Sequence, residues 1–476
     1  MPTAETDNGY LYQQVVKRIR NLRDANSLRP GERLPSLRRL AAQLGISVPT
    51  VKQAYDELER LGWVEVRPQS GYYLKAPLAS SGRPRRPDLS AVPVPVRQQR
   101  LIEKVQQAIT QPGLVPLGIS NPASAFANPQ TFSRLLRRVT TITGGQALGY
   151  GPMHGLAPLR HQLAHRYGEM ATVTTGDQLI ITNGAQEALT LALMCVARPG
   201  DVVAVESPTY FGLIELIESL GMMACEIPAC PDGGVWLADL RQALDNQPIR
   251  ACIFASSINN PLGSLMPDAT RRALVELVES RGVALIEDDV YGDLHFSPQR
   301  ATPAQAWSKR GLVLTCSSFS KTAASGLRIG WLLPGRFEAE AKRLKSALSG
   351  PTPLLNQWAV HELLVSGDYD RNLKRLRAEL AANKERMVAA VQQYFPATTR
   401  HSDPGGGCVL WLELAERQDS GRLFELALAA GISIAPGPIF SASGRYRHCL
   451  RLSFGLPWSE RVEAAVARLG QLISSP

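Results

Sequence analysis

The sequence predicts a multidomain chain: a small three-helix unit closed by a β-hairpin, a Pro- and Arg-rich connector, and a large α/β domain on a mainly parallel sheet. Three observations carry this expectation. Residues 10 to 75 are dense in helical periodicity and end in a short aromatic strand pair. Residues 76 to 97 (APLASSGRPRRPDLSAVPVPVR) lack periodicity and read as a semi-rigid linker. From residue 98 onward, apolar strand-like runs alternate with amphipathic helical stretches. The expected domain limits are 8–76, 77–97 and 98–476.

Composition bounds the function classes. A chain of 476 residues exceeds what one core needs, and 44% apolar with 20% charged residues is an ordinary globular balance. No run of 18 apolar residues exists, so no transmembrane helix is expected. The polar, acidic start lacks a signal-peptide layout, and a cytoplasmic location is expected. The seven cysteines are scattered, with no CxxC and no histidine at ligand spacing. Reduced, mostly buried thiols are expected, with neither a metal site nor a disulfide framework. The charge of +10 suits a polyanionic partner. It is concentrated early, where Arg83, Arg85, Arg86, Arg97 and Arg100 face only Asp88.

Each element of the first unit has a local reason. Leu11, Val15, Ile19 and Leu22 form a helical stripe. Pro30-Gly31 makes a turn, and Ser36 is a good N-cap for a second helix holding Leu37, Leu40, Ala41 and Leu44. Gly45 stops it, and a third helix follows with Val51, Ala54, Tyr55, Leu58 and Leu61 inward. Two helices joined by a tight Gly-containing turn are the helix-turn-helix geometry. Trp63–Val66 and Tyr72–Leu74 then flank a basic-polar tip, a β-hairpin wing. Arg33, Arg38, Arg39, Thr50 and Lys52 fall on outward faces or helix starts, where they can neutralise phosphates of double-stranded DNA. Arg67, Gln69 and Ser70 on the wing can reach an adjacent groove. The plainer alternative is a small helical dimerisation module.

The segment resembles the winged helix-turn-helix of the GntR family of bacterial regulators. The resemblance rests on LxPGxRLPSxRxLAxxLGIS, then TVxxAYxxLExxGW, then a QSGYY wing. It implies DNA contacts from Arg38, from the start of the third helix and from the wing glycine, Gly71. One departure stands out: the family has a basic and then a small or polar residue where this chain has Val48-Pro49. Base recognition is therefore expected to rest more on Arg38, Thr50 and Lys52.

In the large domain, strand-like runs recur at Leu179–Ile181, Val202–Val205, Ala251–Ala255, Val283–Ile286, Leu312–Thr315 and Arg328–Leu333. Ligands of such sheets bind beyond the strand ends. Lys321, after a strand and flanked by hydroxyls, can form a Schiff base with an aldehyde cofactor. Asp288 ends the strand VALIEDD, with Tyr291 three residues on. Asn183-Gly184-Ala185-Gln186 joins strand to helix and offers free amides to a phosphate. Tyr210 can stack on a planar ring, Asn260 can donate to a ring oxygen, and Arg328 can supply charge to a phosphate. Arg451 can clamp a carboxylate. Singly, each has a bland structural role: a surface lysine, a helix cap, a core aromatic, an Asn-Pro turn, a salt bridge.

Their order resembles that of the fold-type I pyridoxal-phosphate aminotransferases over roughly residues 110 to 470. That resemblance implies that Lys321 is the Schiff-base lysine and that Asp288 pairs with the pyridinium nitrogen. It further implies Tyr291 and Asn260 on the phenolic oxygen, Tyr210 stacked on the ring, and Ala185, Gln186, Ser318 and Arg328 around the phosphate. Arg451 would take an amino acid's α-carboxylate, and Tyr150 would reach into the partner subunit's site of a homodimer. A GntR-type head before such a domain resembles the MocR branch, described as regulators sensing pyridoxal phosphate, an amine or an amino acid. Two alternatives stay open: a working aminotransferase with a DNA-binding appendage, and a cofactor that only stabilises the fold.

Overall fold

The computed structural model describes residues 11–474 apart from 25–27, 30, 61–62, 68–69, 76–81, 88–90, 95–98, 124–128 and 231–232. Leu61, Gln69 and Arg97 thus lie outside the described residues. The chain divides into two compact units, residues 1–81 with 385–397, and residues 82–384 with 398–476.

In the first unit, α1 (Leu11–Asp24), α2 (Leu37–Leu44) and α3 (Val48–Arg60) precede β1 (Val64–Arg67) and β2 (Gly71–Leu74). Ser36 caps α2 by accepting the amide of Arg39, and Gly45 ends it in the left-handed conformation (φ 64°), which glycine adopts without a Cβ penalty. Val15, Ile19, Leu40, Ala41, Val51, Ala54, Tyr55 and Leu58 meet in one core under the hairpin. The Tyr55 hydroxyl donates to the Pro35 carbonyl at 2.8 Å, so the buried phenol is satisfied. Leu11, assigned to the inner stripe, is instead 51% exposed at the helix start. Antiparallel pairing runs from Val64↔Leu74 to Arg67↔Gly71, one residue further toward the tip than the aromatic pattern suggested.

In the second unit, helix α4 (Gln99–Thr110) precedes β3 (Val115–Pro116), and the main sheet is then built from β4 (Ile180–Thr182), β5 (Val202–Ser207), β6 (Met223–Cys230), β7 (Gly234–Val235), β8 (Ile249–Phe254), β9 (Ala284–Asp288), β10 (Val313–Ser318) and β11 (Gly330–Leu333). Their spatial order is β4-β11-β10-β9-β8-β5-β6-β7. The five strands β6, β5, β8, β9 and β10 run parallel, while β11 is antiparallel to both β10 and β4. Separate apolar clusters cover the two faces, which is why β5, β8 and β10 read as nearly unbroken apolar runs. The strand expected from Arg328 starts at Gly330, because Arg328 itself is left-handed (φ 53°). Two elements had no clear sequence signal. One is β6; the other is a smaller antiparallel sheet of β12 (Arg400–His401), β13 (Val409–Glu413), β16 (Cys449–Ser453) and β15 (Ala435–Pro436). The remaining strand, β14 (Ile432–Ser433), pairs with β3.

Part of the predicted linker rests on this unit. The amide of Arg85 donates to Glu413 Oε2 at 2.7 Å, and the Arg86 guanidinium engages Asp239 while stacking 4.7 Å from the Trp236 ring. Val94 forms an antiparallel bridge with Ala224. Polar side chains, backbone pairing and the packing of Ala91 and Val94 against the core together hold this stretch in place. All seven cysteines are free thiols and all but Cys230 are buried. Among the described residues, no helix is long and apolar enough to cross a membrane.

Candidate cofactor site and DNA-binding face

The ends of the parallel strands converge on a cavity of about 190 Å³. Lys321, Asp288, Tyr291, Asn260, Tyr210, Ala185, Gln186, Ser318 and Arg328 all line it. Residues distant in the chain meet there because β5, β8, β9 and β10 are neighbours in the sheet and all stop at one edge.

At one end, Gly184 (φ 82°) turns from β4 into the helix Ala185–Val196, whose free amides open on the cavity. A Cβ at Gly184 would fall 2.5 Å from Nη2 of Arg328, so only glycine lets that guanidinium lie against the turn. Arg328 also donates to the Asn183 carbonyl at 3.0 Å. This end carries a guanidinium, helix-start amides and the Ser318 hydroxyl, a donor set suited to a phosphate.

At the centre, burial drives the Asp288 carboxyl up to about 6, against an opposing bond from the Val290 amide. Burial lowers the Lys321 amine, with Arg451 and Arg328 adding to the effect and Cys408 and Asp288 opposing it. A larger fraction of that amine is thereby neutral and nucleophilic. A second layer holds the lysine's neighbour: the Tyr369 hydroxyl lies 2.9 Å from Thr322 Oγ1 and 2.8 Å from Asp293 Oδ2. Arg300 bridges Asp293 at 2.6 Å and Asp289 at 2.5 Å, next to Asp288. No sequence signal announced this network, whose members span residues 289 to 369.

Arg451, on β16 opposite Trp411, is fully buried beside the cavity. Its Nη1 donates to Asn260 Oδ1 at 2.9 Å and its Nη2 to the Gly118 carbonyl at 2.5 Å, while Nε has no partner among the described residues. The Tyr291 hydroxyl donates to the Ser120 carbonyl. Tyr150 stands apart from the cavity of its own chain and is 97% exposed. Sequence reading missed Ser120, Thr209 and Glu206, which also line the cavity. Glu206 did carry a signal, an acid inside the apolar strand VVAVES. It is 1% exposed, accepts the Ala255 amide at 2.8 Å through Oε1, and is pushed up to about 7 by burial.

Two buried polar atoms lack a hydrogen-bond partner among the described residues here, Thr209 Oγ1 on the cavity wall and Arg451 Nε beside it. A polar ligand would satisfy such atoms. With a lysine amine, a buried carboxyl and a phosphate-type end in one cavity, the residues fit pyridoxal phosphate.

On the head, Arg38 and Arg39 are exposed at the start of α2. Thr50 Oγ1 lies 2.7 Å from Ser47 Oγ, and the Lys52 ammonium lies 3.5 Å from Asp56. Arg67 is drawn back onto Glu65 at 2.6 Å and stacks 4.2 Å from the Tyr73 ring. Gly71 packs under Arg33, whose Nε would lie 3.2 Å from a Cβ there.

Fold and cavity together define an aminotransferase-type domain fused to a winged helix-turn-helix. Residues 112–469 match the family of class I and II aminotransferases, and residues 11–74 match the gntR family of bacterial regulatory proteins. The HTH-type transcriptional regulators YdcR and YjiR of Escherichia coli are 37% and 35% identical, each over 97% of this chain and 98% of their own length. LysN, the α-aminoadipate aminotransferase of Thermus thermophilus solved with N-(5'-phosphopyridoxyl)-L-leucine, superposes with a TM-score of 0.71. It is 29% identical and covers 79% of this chain and 98% of its own. The chain belongs to the GntR family of bacterial regulators and has its MocR-type architecture.

Proposed function

We propose that the protein is a DNA-binding transcriptional regulator that holds pyridoxal phosphate on Lys321 and responds to an amine, an amino acid or the cofactor itself. One observation carries this reading. A single cavity joins Lys321, Asp288 and the Ser318–Arg328 end in a chain that matches regulators over 97% of its length. When bound, the cofactor supplies an electrophilic carbon at which Lys321 can be exchanged for another primary amine. Asp288 would hold the ring nitrogen, Tyr210 would cover the ring, and Asn260 with Tyr291 would face its phenolic oxygen. Ala185, Gln186, Ser318 and Arg328 would hold the phosphate. Arg451, already fixed on Asn260, would select amines that bear a carboxylate. The exposed Tyr150, beside Leu148 at 82% exposure, fits a homodimer in which it serves the partner's site.

The domain limits we propose are 8–76, 77–97 and 98–476, in a cytoplasmic protein whose partners are double-stranded DNA and a small amine. An active aminotransferase with a DNA-binding appendage is the second reading, favoured by the joint presence of Lys321, Asp288 and Arg451 in catalytic order. A ligand shifts a regulator only through differential affinity for its two states. The test pairs visible absorption with DNA retardation, for the parent and Lys321→Ala, across a panel of amines. The regulator reading expects a cofactor band that Lys321→Ala alters, and an amine that changes both band and DNA affinity. DNA affinity indifferent to every amine and to Lys321→Ala, with steady turnover of a 2-oxo acid at about 1 per second or more, would establish the second reading.

A further inference from the structure

The start of α3 is the part of the head that the family pattern explains least. Val48 and Pro49 are both exposed, Val48 at 40%, and they open α3, the second helix of the helix-turn-helix. The polar groups around them are already engaged. Ser47 and Thr50 bond to each other, Lys52 pairs with Asp56, and Arg67 lies on Glu65 and Tyr73. Val48 is not on a neutral face. It lines a shallow hollow with Arg33, Ser36, Arg38 and Gly71, where the starts of α2 and α3 meet the wing. An apolar side chain is thus set among guanidinium groups that suit a phosphate backbone.

In the major groove each base edge presents donors and acceptors, and the C5-methyl of thymine is the one apolar feature among them. We propose that Val48, with Pro49 beside it, reads the C5-methyl of a thymine in each half of the target duplex, while Arg38 holds the register. This inference rests on the DNA-binding reading of the head and is independent of the cofactor. Removal of one buried methyl contact corresponds to about fourfold in affinity, the equivalent of ~0.8 kcal/mol. Two half-sites give about fifteenfold.

The test uses the full-length protein loaded with pyridoxal phosphate. Duplexes are first selected from a random pool, and each thymine of the enriched sequence is then replaced singly by deoxyuridine, which lacks only the methyl group. The expected result is one thymine per half-site whose replacement weakens binding about fourfold. That sensitivity should disappear in Val48→Ala and persist at reduced size in Val48→Thr, which keeps one methyl. If no thymine responds, or if the response survives in Val48→Ala, the assignment to Val48 is wrong. If no duplex is enriched at all, the DNA-binding reading of the head fails and takes the inference with it.

Discussion

Replacing Glu206 by Gln tests the electrostatics of the cofactor cavity directly. The carboxyl is 1% exposed and is raised from 4.5 to about 7, chiefly by burial. A folded-state value above the unfolded one means that the native protein binds this proton more tightly. The associated stability is fully present below pH 4.5 and is lost as pH rises through about 7. The 2.5-unit difference between those two values corresponds to about 3 kcal/mol of ionisation penalty at pH 8. Gln keeps a carbonyl oxygen for the Ala255 amide and cannot ionise. Unfolding entropy for a domain this large is about 0.8 kcal/mol/K, so the variant should melt about 4 °C above the parent at pH 8. At pH 5.5 the gap should shrink below about 2 °C, because the parent's carboxyl is then mostly protonated. Asp288 is raised as well, and its charge adds to the rise of Glu206 as a smaller contribution than burial. Scanning calorimetry from pH 5.5 to 8 decides the matter. A gap that does not change with pH, or a variant that melts lower at pH 8, would refute burial as the dominant influence on this carboxyl.

The other predictions concern ligand selection, DNA and assembly. Arg451→Ala should weaken amino acids by about 10- to 150-fold, the range for a hydrogen bond to a charged group. Amines without a carboxylate should change by less than about threefold, as read by cofactor absorption. Equal losses for both classes would instead assign Arg451 a structural role, through its bonds to Asn260 and Gly118. Arg38→Ala should weaken DNA binding and reduce the slope of log affinity against log salt by about 1, leaving the cofactor band intact. A simultaneous loss of cofactor would indicate misfolding. Mixing Tyr150→Ala subunits with Lys321→Ala subunits should rebuild one intact site per mixed dimer, seen as partial recovery of the visible band. No recovery would mean that Tyr150 does not serve the partner's site.

Local chemistry made much of the head legible in the chain. Ser36 and Gly45 bound a helix whichever fold contains them, since capping and left-handed turns depend on a few adjacent residues. The apolar runs of β5, β8, β9 and β10 likewise announce strands covered on both faces. For the site, the strand-end positions of Lys321, Asp288, Asn260 and Tyr210 could be read because a parallel sheet brings its ends to one edge. The partners of these residues could not be read. Arg451 meets Asn260 from 191 positions away, and Tyr369 reaches Thr322 across 47. No periodicity links such pairs. Linker composition was silent on contacts for a related reason: Arg85 and Arg86 find their acids on Glu413 and Asp239, which only folding brings near.

The sequence by itself therefore determined the domain order, the caps and strands, the residue types of the cofactor site and the unusual Val48-Pro49 start. Those features depend on short stretches of chain and on the periodicity of burial. Tertiary structure alone decided the shifted carboxyls of Glu206 and Asp288 and the pairing of Arg451. Desolvation and hydrogen bonding depend on distance in space, and chain separation carries no information about that distance.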